Sequence, residues 1–230
     1  MSTRYHYFVS GSVGVGKSAA INALMVNYSE KIKLYYVKEY IDFDCFGPKM
    51  LDDWISGKMS LLEFQFYIVN CFREQLETEE YRNAKFVIWE RHPLEALEVF
   101  SKNMNKEDKE KLREAIKCLL EEFDIPEINT IIRARAIKIS TYCLTSNSIA
   151  DIIYNDIINN IANIKDTATF VFLYVPKPFI TEQQKRIFKR NRPMEVMAYQ
   201  DINQLQKIND CYAAFANEFL AGGYVHQSEI

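Results

Sequence analysis

The sequence has little glycine and proline, no regular cysteine pattern and no long apolar run. Its five cysteines are odd in number, scattered and free of any C-x-x-C pair, which excludes a disulfide framework and a zinc site and is typical of a reducing compartment. No signal peptide precedes the first predicted strand, and the apolar runs are too short to cross a membrane. The net charge of -3 excludes a protein that mainly coats nucleic acid. We therefore expect a cytoplasmic protein with one domain over residues 1–230, a small-molecule substrate, and no membrane or nucleic-acid partner.

Glycine is scarce, yet three of the seven glycines lie within residues 11–16. They belong to the segment GSVGVGKS, which fits G-x-x-x-x-G-K-[ST] and lies between a predicted strand, 5–10, and a predicted helix, 18–28. In this motif the glycines let backbone N–H groups turn toward phosphate oxygens at a helix N-terminus. The lysine contacts the β- and γ-phosphates and the hydroxyl binds Mg²⁺. The segment predicts a nucleoside triphosphate site made of Gly11, Ser12, Val13, Gly14, Val15, Gly16, Lys17 and Ser18.

Strand and helix patterns alternate along the rest of the chain, which predicts an α/β fold with a parallel sheet flanked by helices. The other predicted strands are 34–40, 85–90, 168–175 and 224–227. The other predicted helices are a short one within 47–55, then 61–80, 93–102, 105–123, 152–164 and 198–220. Ser60 and Glu63 predict a capping box at the start of helix 61–80.

Two fragments are similar to GTPase motifs. Asp44-Cys-Phe-Gly47 fits D-x-x-G, and Asn105-Lys-Glu-Asp108 fits N-K-x-D. In a GTPase each would follow a buried strand, whereas Asn105 follows a helical segment and Asp44 lies in a loop. We interpret Asn105 as a helix cap and Asp108 as a first-turn acid, which disfavours a GTPase.

Three further groups of polar residues are candidates for chemistry. Glu39 follows the second strand at the edge where α/β sheets bind ligands, as a base for phosphoryl transfer or as a surface carboxylate. Glu90 and Arg91 follow the third strand, either as ligands of Mg²⁺ and substrate or as an ordinary salt bridge. The basic segment 186–195, RIFKRNRPME, either closes over a triphosphate or forms a solvated helix face.

Together these motifs resemble the deoxynucleoside kinases, and most closely the thymidine kinases of herpesvirus type. The resemblance rests on the phosphate loop, Glu39, Phe64-Gln65-x-Tyr67, Glu90-Arg91-His92-Pro93 and R-x-x-K-R-x-R-P-x-E, and it covers 5–103 and 168–215. It implies a P-loop kinase fold with a short Arg-rich lid at about 181–195, ATP and Mg²⁺ as cofactors, and a homodimer. Residues 124–167 are longer than the core of this family needs, and we interpret them as an insertion with no assigned function.

The resemblance also implies a role for each candidate residue. Glu39 is the general base for the 5′-hydroxyl, Arg91 holds that hydroxyl and Glu39, and Ser18 and Glu90 bind Mg²⁺. Lys17 and the lid arginines stabilise the transferred phosphate; the latter are Arg186, Arg190 and Arg192. The remaining residues would bind the deoxynucleoside; these are Glu195 at the 3′-hydroxyl, Trp54 where cellular relatives carry a sugar-binding Tyr, and Gln65, Ile68, Phe72, Ala96 and Phe100 around the base.

Helical spacing independently places Gln65, Ile68 and Phe72 on one face, although the two apolar residues are equally typical of a core. In deoxycytidine-preferring members the positions of Phe72 and Ala96 are charged. Both are uncharged here, so the resemblance favours phosphorylation of thymidine to dTMP. The alternatives are a thymidylate or bifunctional kinase and, in another class, a regulatory NTPase or an inactive nucleotide-binding module.

Overall fold

The computed structural model describes residues 4–126, 135–161, 168–220 and 225–227. The strands are β1 Tyr5–Ser10, β2 Leu34–Val37, β3 Phe86–Glu90, β4 Arg135–Ser140, β5 Ala168–Tyr174 and β6 Val225–Gln227. The helices are α1 Lys17–Ile32, α2 Tyr40–Phe43, α3 Gly47–Ile55, α4 Leu61–Leu76, α5 Glu79–Asn83, α6 Glu95–Glu98, α7 Lys106–Glu122, α8 Ser146–Ile161, α9 Ile180–Arg190, α10 Pro193–Ala198 and α11 Ile202–Leu220. None of these helices is long and apolar enough to cross a membrane.

The strands form one parallel sheet in the order β2-β3-β1-β5-β4-β6. β1 lies between β3 and β5, so the chain leaves β1 at the point where the strand order changes direction. In open parallel sheets this point, at the carboxyl ends of the strands, is where ligands bind. The phosphate-loop motif begins there, directly after Ser10.

Alternating side chains of β1 build a separate core on each face of the sheet, as its pleat requires. Tyr7 and Val9 belong to a core that includes residues of α1 and α8. Phe8 belongs to a second core, with residues of α4, α7 and α11. The predicted α/β class and the helices on both faces are therefore confirmed.

Several predicted elements have different bounds in the structure. β2 ends at Val37, and Glu39 is the extended residue before α2 rather than a strand residue. The predicted helix 61–80 ends at Leu76, because Thr78 caps a separate helix by accepting a hydrogen bond from the N–H of Tyr81. The predicted helix 93–102 is reduced to α6, one turn long. The predicted helix 198–220 begins only at Ile202, after the separate helix α10.

Residues 135–161 form a strand and a helix, of which only the helix was predicted, at 152–164. β4 pairs with β5 on one side and with β6 on the other, and α8 packs beside α1. These residues lie within the sheet and its helical layer, and the interpretation of 124–167 as an insertion relative to the family core stays a prediction. Lys138 interrupts the apolar run of β4, which explains why no buried strand was predicted there. Residues 127–134 and 162–167 lie outside the described residues.

Candidate active site

The phosphate-loop motif forms the turn from β1 into α1. A Cβ atom at Gly11, where φ is +143°, would lie 2.3 Å from the carbonyl oxygen of Leu173, so glycine is required for β5 to approach this closely. Gly16 has a φ of +97°, and no atom lies within 4 Å of the place that its Cβ would take. The loop is therefore open where α1 begins, as a phosphate-binding loop must be.

Residues of α9 hold the loop from its other side. The Nε2 atom of Gln183 donates to the carbonyl oxygen of Val13 at 2.7 Å, and a Cβ atom at Gly14 would lie 2.7 Å from Cγ1 of Ile187. Gln183 and Ile187 are fully buried, and Val15 is buried in the core that includes α1. The first half of the predicted lid is thus anchored on the phosphate loop.

Lys17 is buried inside the loop. Its ammonium donates to the carbonyl oxygen of Ser12 at 3.1 Å, and within the described residues it forms no ion pair. Burial, followed by the positive charge of Arg91, lowers the pKa of Lys17 to about 8. At neutral pH the side chain is still charged, so a phosphate group beside it would gain an ionic partner.

Ser18 and Glu90 form the candidate magnesium site. The Ser18 hydroxyl donates to Oε1 of Glu90 at 2.6 Å, and the Tyr36 hydroxyl donates to Oε2 at 2.5 Å. Burial, followed by the charge of Glu39, raises the pKa of Glu90. Mg²⁺ prefers such hydroxyl and carboxylate oxygens, completed by phosphate and water. Within the described residues, no group of three or more acidic, histidine or cysteine side chains could hold a metal ion.

The buried charges also fit a bound cation. Lys17 and Arg91 interact with three carboxylates, those of Glu39, Glu90 and Glu95. A divalent ion near Glu90 would lower the cost of ionising that buried carboxyl group.

Glu39 and Arg91 form an ion pair on the acceptor side of the loop. The Nε atom of Arg91 donates to Oε1 of Glu39 at 2.5 Å. Burial would raise the pKa of Glu39, but Arg91 and then Lys17 outweigh it and lower this pKa to about 2. The carboxylate is therefore ionised at neutral pH.

Arg91 also connects this carboxylate to the phosphate loop. Its Nη1 atom donates to the carbonyl oxygen of Gly11 at 3.1 Å. Within the described residues, no acceptor is bonded to its Nη2 atom, so that nitrogen is available to a substrate oxygen.

Four of the five residues predicted to bind the base belong to or pack against one large hydrophobic cluster, and the fifth, Gln65, is buried on α4. Phe72 and Ala96 share one buried cluster, and Ile68 and Phe100 pack against it. Gln65 is 2% exposed, and its Oε1 atom has no hydrogen-bond partner within the described residues. Unsatisfied buried acceptors are rare in folded proteins, so this carbonyl oxygen is well suited to accept an N–H group from a ligand.

Trp54 lies in a different cluster. Its indole ring stacks on Phe64 with 5.0 Å between centroids, beside Tyr40, and Ile68 packs against both this cluster and that of Phe72. The structure therefore gives Trp54 a packing contact on α3 and α4, and its predicted contact with the sugar stays a prediction.

The lid residues form ion pairs with acidic residues. The Nη2 atom of Arg190 donates to both carboxylate oxygens of Glu195 at 2.7 Å. Arg192 forms ion pairs with Glu195 at 3.3 Å and with Asp42 at 2.5 Å. Arg186 instead donates to the carbonyl oxygen of Thr141 at 3.1 Å. The three arginines and the phosphate loop line one cavity of about 870 Å³.

Sequence reasoning missed several residues of this region. Tyr36 and Thr141 contact Glu90 and Arg186, and their sequence neighbourhoods give no sign of this because the partners are distant in the chain. Glu95 had a usable signal, since it stands four residues after Arg91 in ERHPLEAL and an i,i+4 pair is favourable at the start of a helix.

No family model matches the sequence, and no curated protein does. Among solved structures the chain resembles deoxyadenosine kinase from M. mycoides with bound dATP, at 17% identity and a TM-score of 0.51, over 98% of this chain and 92% of that one. A second structure of that enzyme, with dCMP and a flexible dCDP bound, matches at 17% identity and a TM-score of 0.51, over 98% and 91%. The fold is that of a P-loop kinase. At this identity the likeness establishes the fold alone.

Proposed function

We propose that this P-loop kinase transfers the γ-phosphoryl group of ATP to the 5′-hydroxyl of a deoxynucleoside. One observation carries the proposal. A single guanidinium, that of Arg91, bonds the acceptor-side carboxylate Glu39 and the carbonyl oxygen of Gly11 at the start of the phosphate loop. Donor and acceptor groups are thereby held at one place, which is the main requirement of phosphoryl transfer.

In this mechanism Glu39 takes the proton of the 5′-hydroxyl as the oxygen attacks the phosphorus. Arg91 orients Glu39 through Nε and presents Nη2 to the hydroxyl. Lys17 and the lid arginines would bind the phosphate oxygens as negative charge develops on them. Ser18 and Glu90 would hold Mg²⁺, which supplies charge neutralisation at the phosphates.

We further propose thymidine as the preferred acceptor. A carboxamide such as that of Gln65 offers one donor and one acceptor, which match a pyrimidine edge. Phe72 and Ala96 stand at the positions that are charged in deoxycytidine-preferring members, and both are uncharged here. The similar solved structures contain a purine and pyrimidine nucleotides, so base preference has to be measured.

A steady-state screen of the four deoxynucleosides with ATP and Mg²⁺ tests this preference. Thymidine should be phosphorylated with the highest kcat/KM, and deoxycytidine or deoxyuridine more slowly. A higher kcat/KM for deoxyadenosine or deoxyguanosine would overturn the assignment of the base site. Product analysis separates thymidine kinase from the alternatives, because a thymidylate or bifunctional kinase forms dTDP whereas the proposed enzyme accumulates dTMP.

The variant Glu39→Gln tests the proposed base. It should lower kcat by roughly 10²- to 10⁴-fold, the usual contribution of a general base, and should leave ADP binding intact. Asp52→Asn, an exposed carboxylate on the nearby helix α3, is the matched control and should keep kcat. An unchanged kcat in Glu39→Gln would overturn the assignment of Glu39 as the base, whereas the absence of phosphoryl transfer in the wild type favours the regulatory NTPase or the inactive nucleotide-binding module.

The homodimer remains part of the proposal. Light scattering on the purified protein should give twice the chain mass of 27.0 kDa. A mass of one chain would contradict it.

A further inference from the structure

The carboxylate of Glu95 faces the same guanidinium as Glu39, yet the proposed reaction gives it no role. Glu95 is 1% exposed. Its Oε2 atom accepts hydrogen bonds from Nη1 of Arg91 at 3.2 Å and from the Tyr212 hydroxyl at 2.8 Å. Its Oε1 atom accepts from the N–H of His92 at 3.1 Å. The carboxylate is therefore fixed by three donors, which come from the turn after β3 and from α11.

The guanidinium of Arg91 is held from two sides. Its Nε edge bonds Glu39, and its Nη1 atom bonds Glu95 and contacts the Tyr212 hydroxyl. The rings of Phe100 and Tyr212 lie 5.1 Å and 5.5 Å from its central carbon. Arg91 also has a φ of +78°, a strained backbone angle for this residue type that persists only where the surroundings enforce it.

Two carboxylates around one buried guanidinium are an expensive arrangement. Burying each charge costs free energy that only close pairing repays, and burial raises the pKa of Glu95. A single partner would satisfy the charge of Arg91 as long as Glu39 stays ionised. The second carboxylate keeps Arg91 charge-paired if Glu39 at some point loses its charge.

Catalysis creates that situation. The O–H bond of the 5′-hydroxyl breaks as its proton moves to a carboxylate oxygen of Glu39. The oxygen keeps the electron pair and forms the new bond to the γ-phosphorus, and ADP leaves with the electrons of the old P–O bond. Glu39 is then neutral, and Arg91 has lost its counter-ion while it is still buried.

We propose that Glu95, with Tyr212, is a positioning residue that keeps Arg91 in place and charge-paired when Glu39 accepts the proton. This inference rests on the function proposed above. Tyr212 supports it by donating to Glu95 while its oxygen accepts from Arg91. Because Tyr212 belongs to α11, the pair also couples the last helix to the acceptor side of the site.

The kinetic test uses Glu95→Gln and Tyr212→Phe. We expect either change to lower kcat about 10- to 100-fold, the range for loss of a hydrogen bond to a charged group, with KM for both substrates within about threefold of the wild type. Glu98→Gln, an exposed carboxylate on the same helix α6, should keep both constants. An unchanged kcat, or a rise in KM as large as the fall in kcat, would overturn the proposal.

A second test needs no phosphoryl transfer. Hindered rotation of the Arg91 guanidinium gives separate ¹⁵N signals for its Nη atoms, and Glu39→Gln imitates the protonated base. Separate signals should persist in Glu39→Gln and merge in Glu39→Gln/Glu95→Gln. Merged signals already in Glu39→Gln would show that Glu95 does not hold Arg91, even if no deoxynucleoside proves to be a substrate. If Glu95→Gln does not fold, Glu39→Gln/Tyr212→Phe provides the same comparison.

Discussion

Two glutamines on α4 differ in their bonding although both are buried. Gln75 accepts a hydrogen bond from the Lys38 N–H at 2.7 Å and donates to the carbonyl oxygens of Lys38 at 3.0 Å and Cys71 at 3.1 Å. Gln65 leaves its Oε1 atom without a partner within the described residues. A satisfied amide stabilises the fold, whereas an unsatisfied one lowers the free energy of unfolding and is retained where a ligand uses it.

We therefore expect opposite results from the same substitution at these two positions. Gln65→Leu should raise the free energy of unfolding by about 1 kcal/mol, since an orphan acceptor is removed, and should raise KM for the deoxynucleoside. Gln75→Leu, the matched control, should lower the free energy of unfolding because two groups of Lys38 lose their partner. Urea unfolding and steady-state kinetics measure both effects. A loss of stability in Gln65→Leu with unchanged KM would contradict a base-binding amide.

At the scale of elements, the start of α7 tests the GTPase-like motif. The side-chain oxygen of Asn105 accepts a hydrogen bond from the N–H of Asp108 at 2.9 Å, as an N-cap does. Asp44 is likewise engaged locally, by the N–H of Phe46 at 3.0 Å and the hydroxyl of Tyr67 at 2.6 Å. The side chains of Asn105 and Asp44 therefore form hydrogen bonds with backbone N–H groups and a hydroxyl of their own region.

Asn105→Ala should therefore affect stability alone. Loss of the cap should lower the free energy of unfolding by about 1 kcal/mol, and kcat and KM for every nucleotide should stay as in the wild type. Thermal unfolding and kinetics with ATP and GTP measure the two parts. A change in the preference between ATP and GTP would contradict the capping role.

Local signals explain which elements could be predicted. The capping box of Ser60 and Glu63, the cap at Asn105 and the phosphate loop depend on residues within a few positions of each other, and the structure confirms both caps and the strand–turn–helix context of the loop. β4 depends on two neighbouring strands that its own six residues do not reveal. Glu39 was predicted at the carboxyl edge of the sheet, where it lies. The end of β2 at Val37 was not predicted, because tertiary contacts determine where α2 begins.

At the scale of the whole molecule, the site is assembled from distant parts of the chain. Arg91 is 52 positions from Glu39 and 121 from Tyr212. The first contact was predicted because both residues belong to a recognisable motif at a strand end. The contact between Arg91 and Tyr212 could not be predicted, because Tyr212 lies on a long amphipathic helix where an aromatic residue is typical of a core. Sequence motifs therefore predicted the contact between Glu39 and Arg91 and missed the contacts of Arg91 with Glu95 and Tyr212.

These buried charges should determine how the stability of the protein depends on pH. The pKa of Glu39 is lowered to about 2 from an ordinary 4.5, because Arg91 and Lys17 outweigh the effect of burial. The unfolded chain thus binds this proton first, so the stability that Glu39 contributes is present above pH 4.5 and is lost as the pH falls toward 2. Burial raises the pKa of Glu90 and Glu95, so their contribution is present below pH 4.5 and is lost as the pH rises through their folded pKa.

His6 and His92 add to the loss of stability on the acid side, because burial lowers the pKa of each to about 3 and the unfolded chain binds their protons below pH 6.5. Without ligand, the free energy of unfolding should therefore pass through a maximum between this acid side and the alkaline side set by Glu90 and Glu95. Urea unfolding from about pH 3 to about pH 8 measures this profile. Glu39→Gln should flatten its acid side and Glu90→Gln its alkaline side, since each removes one shifted group. ATP with Mg²⁺ should also flatten the alkaline side, because a cation at Ser18 and Glu90 favours the ionised carboxylate. An unchanged profile in Glu90→Gln would show that folding does not raise the pKa of Glu90. A cation at Ser18 and Glu90 would then add no stability by favouring the ionised carboxylate.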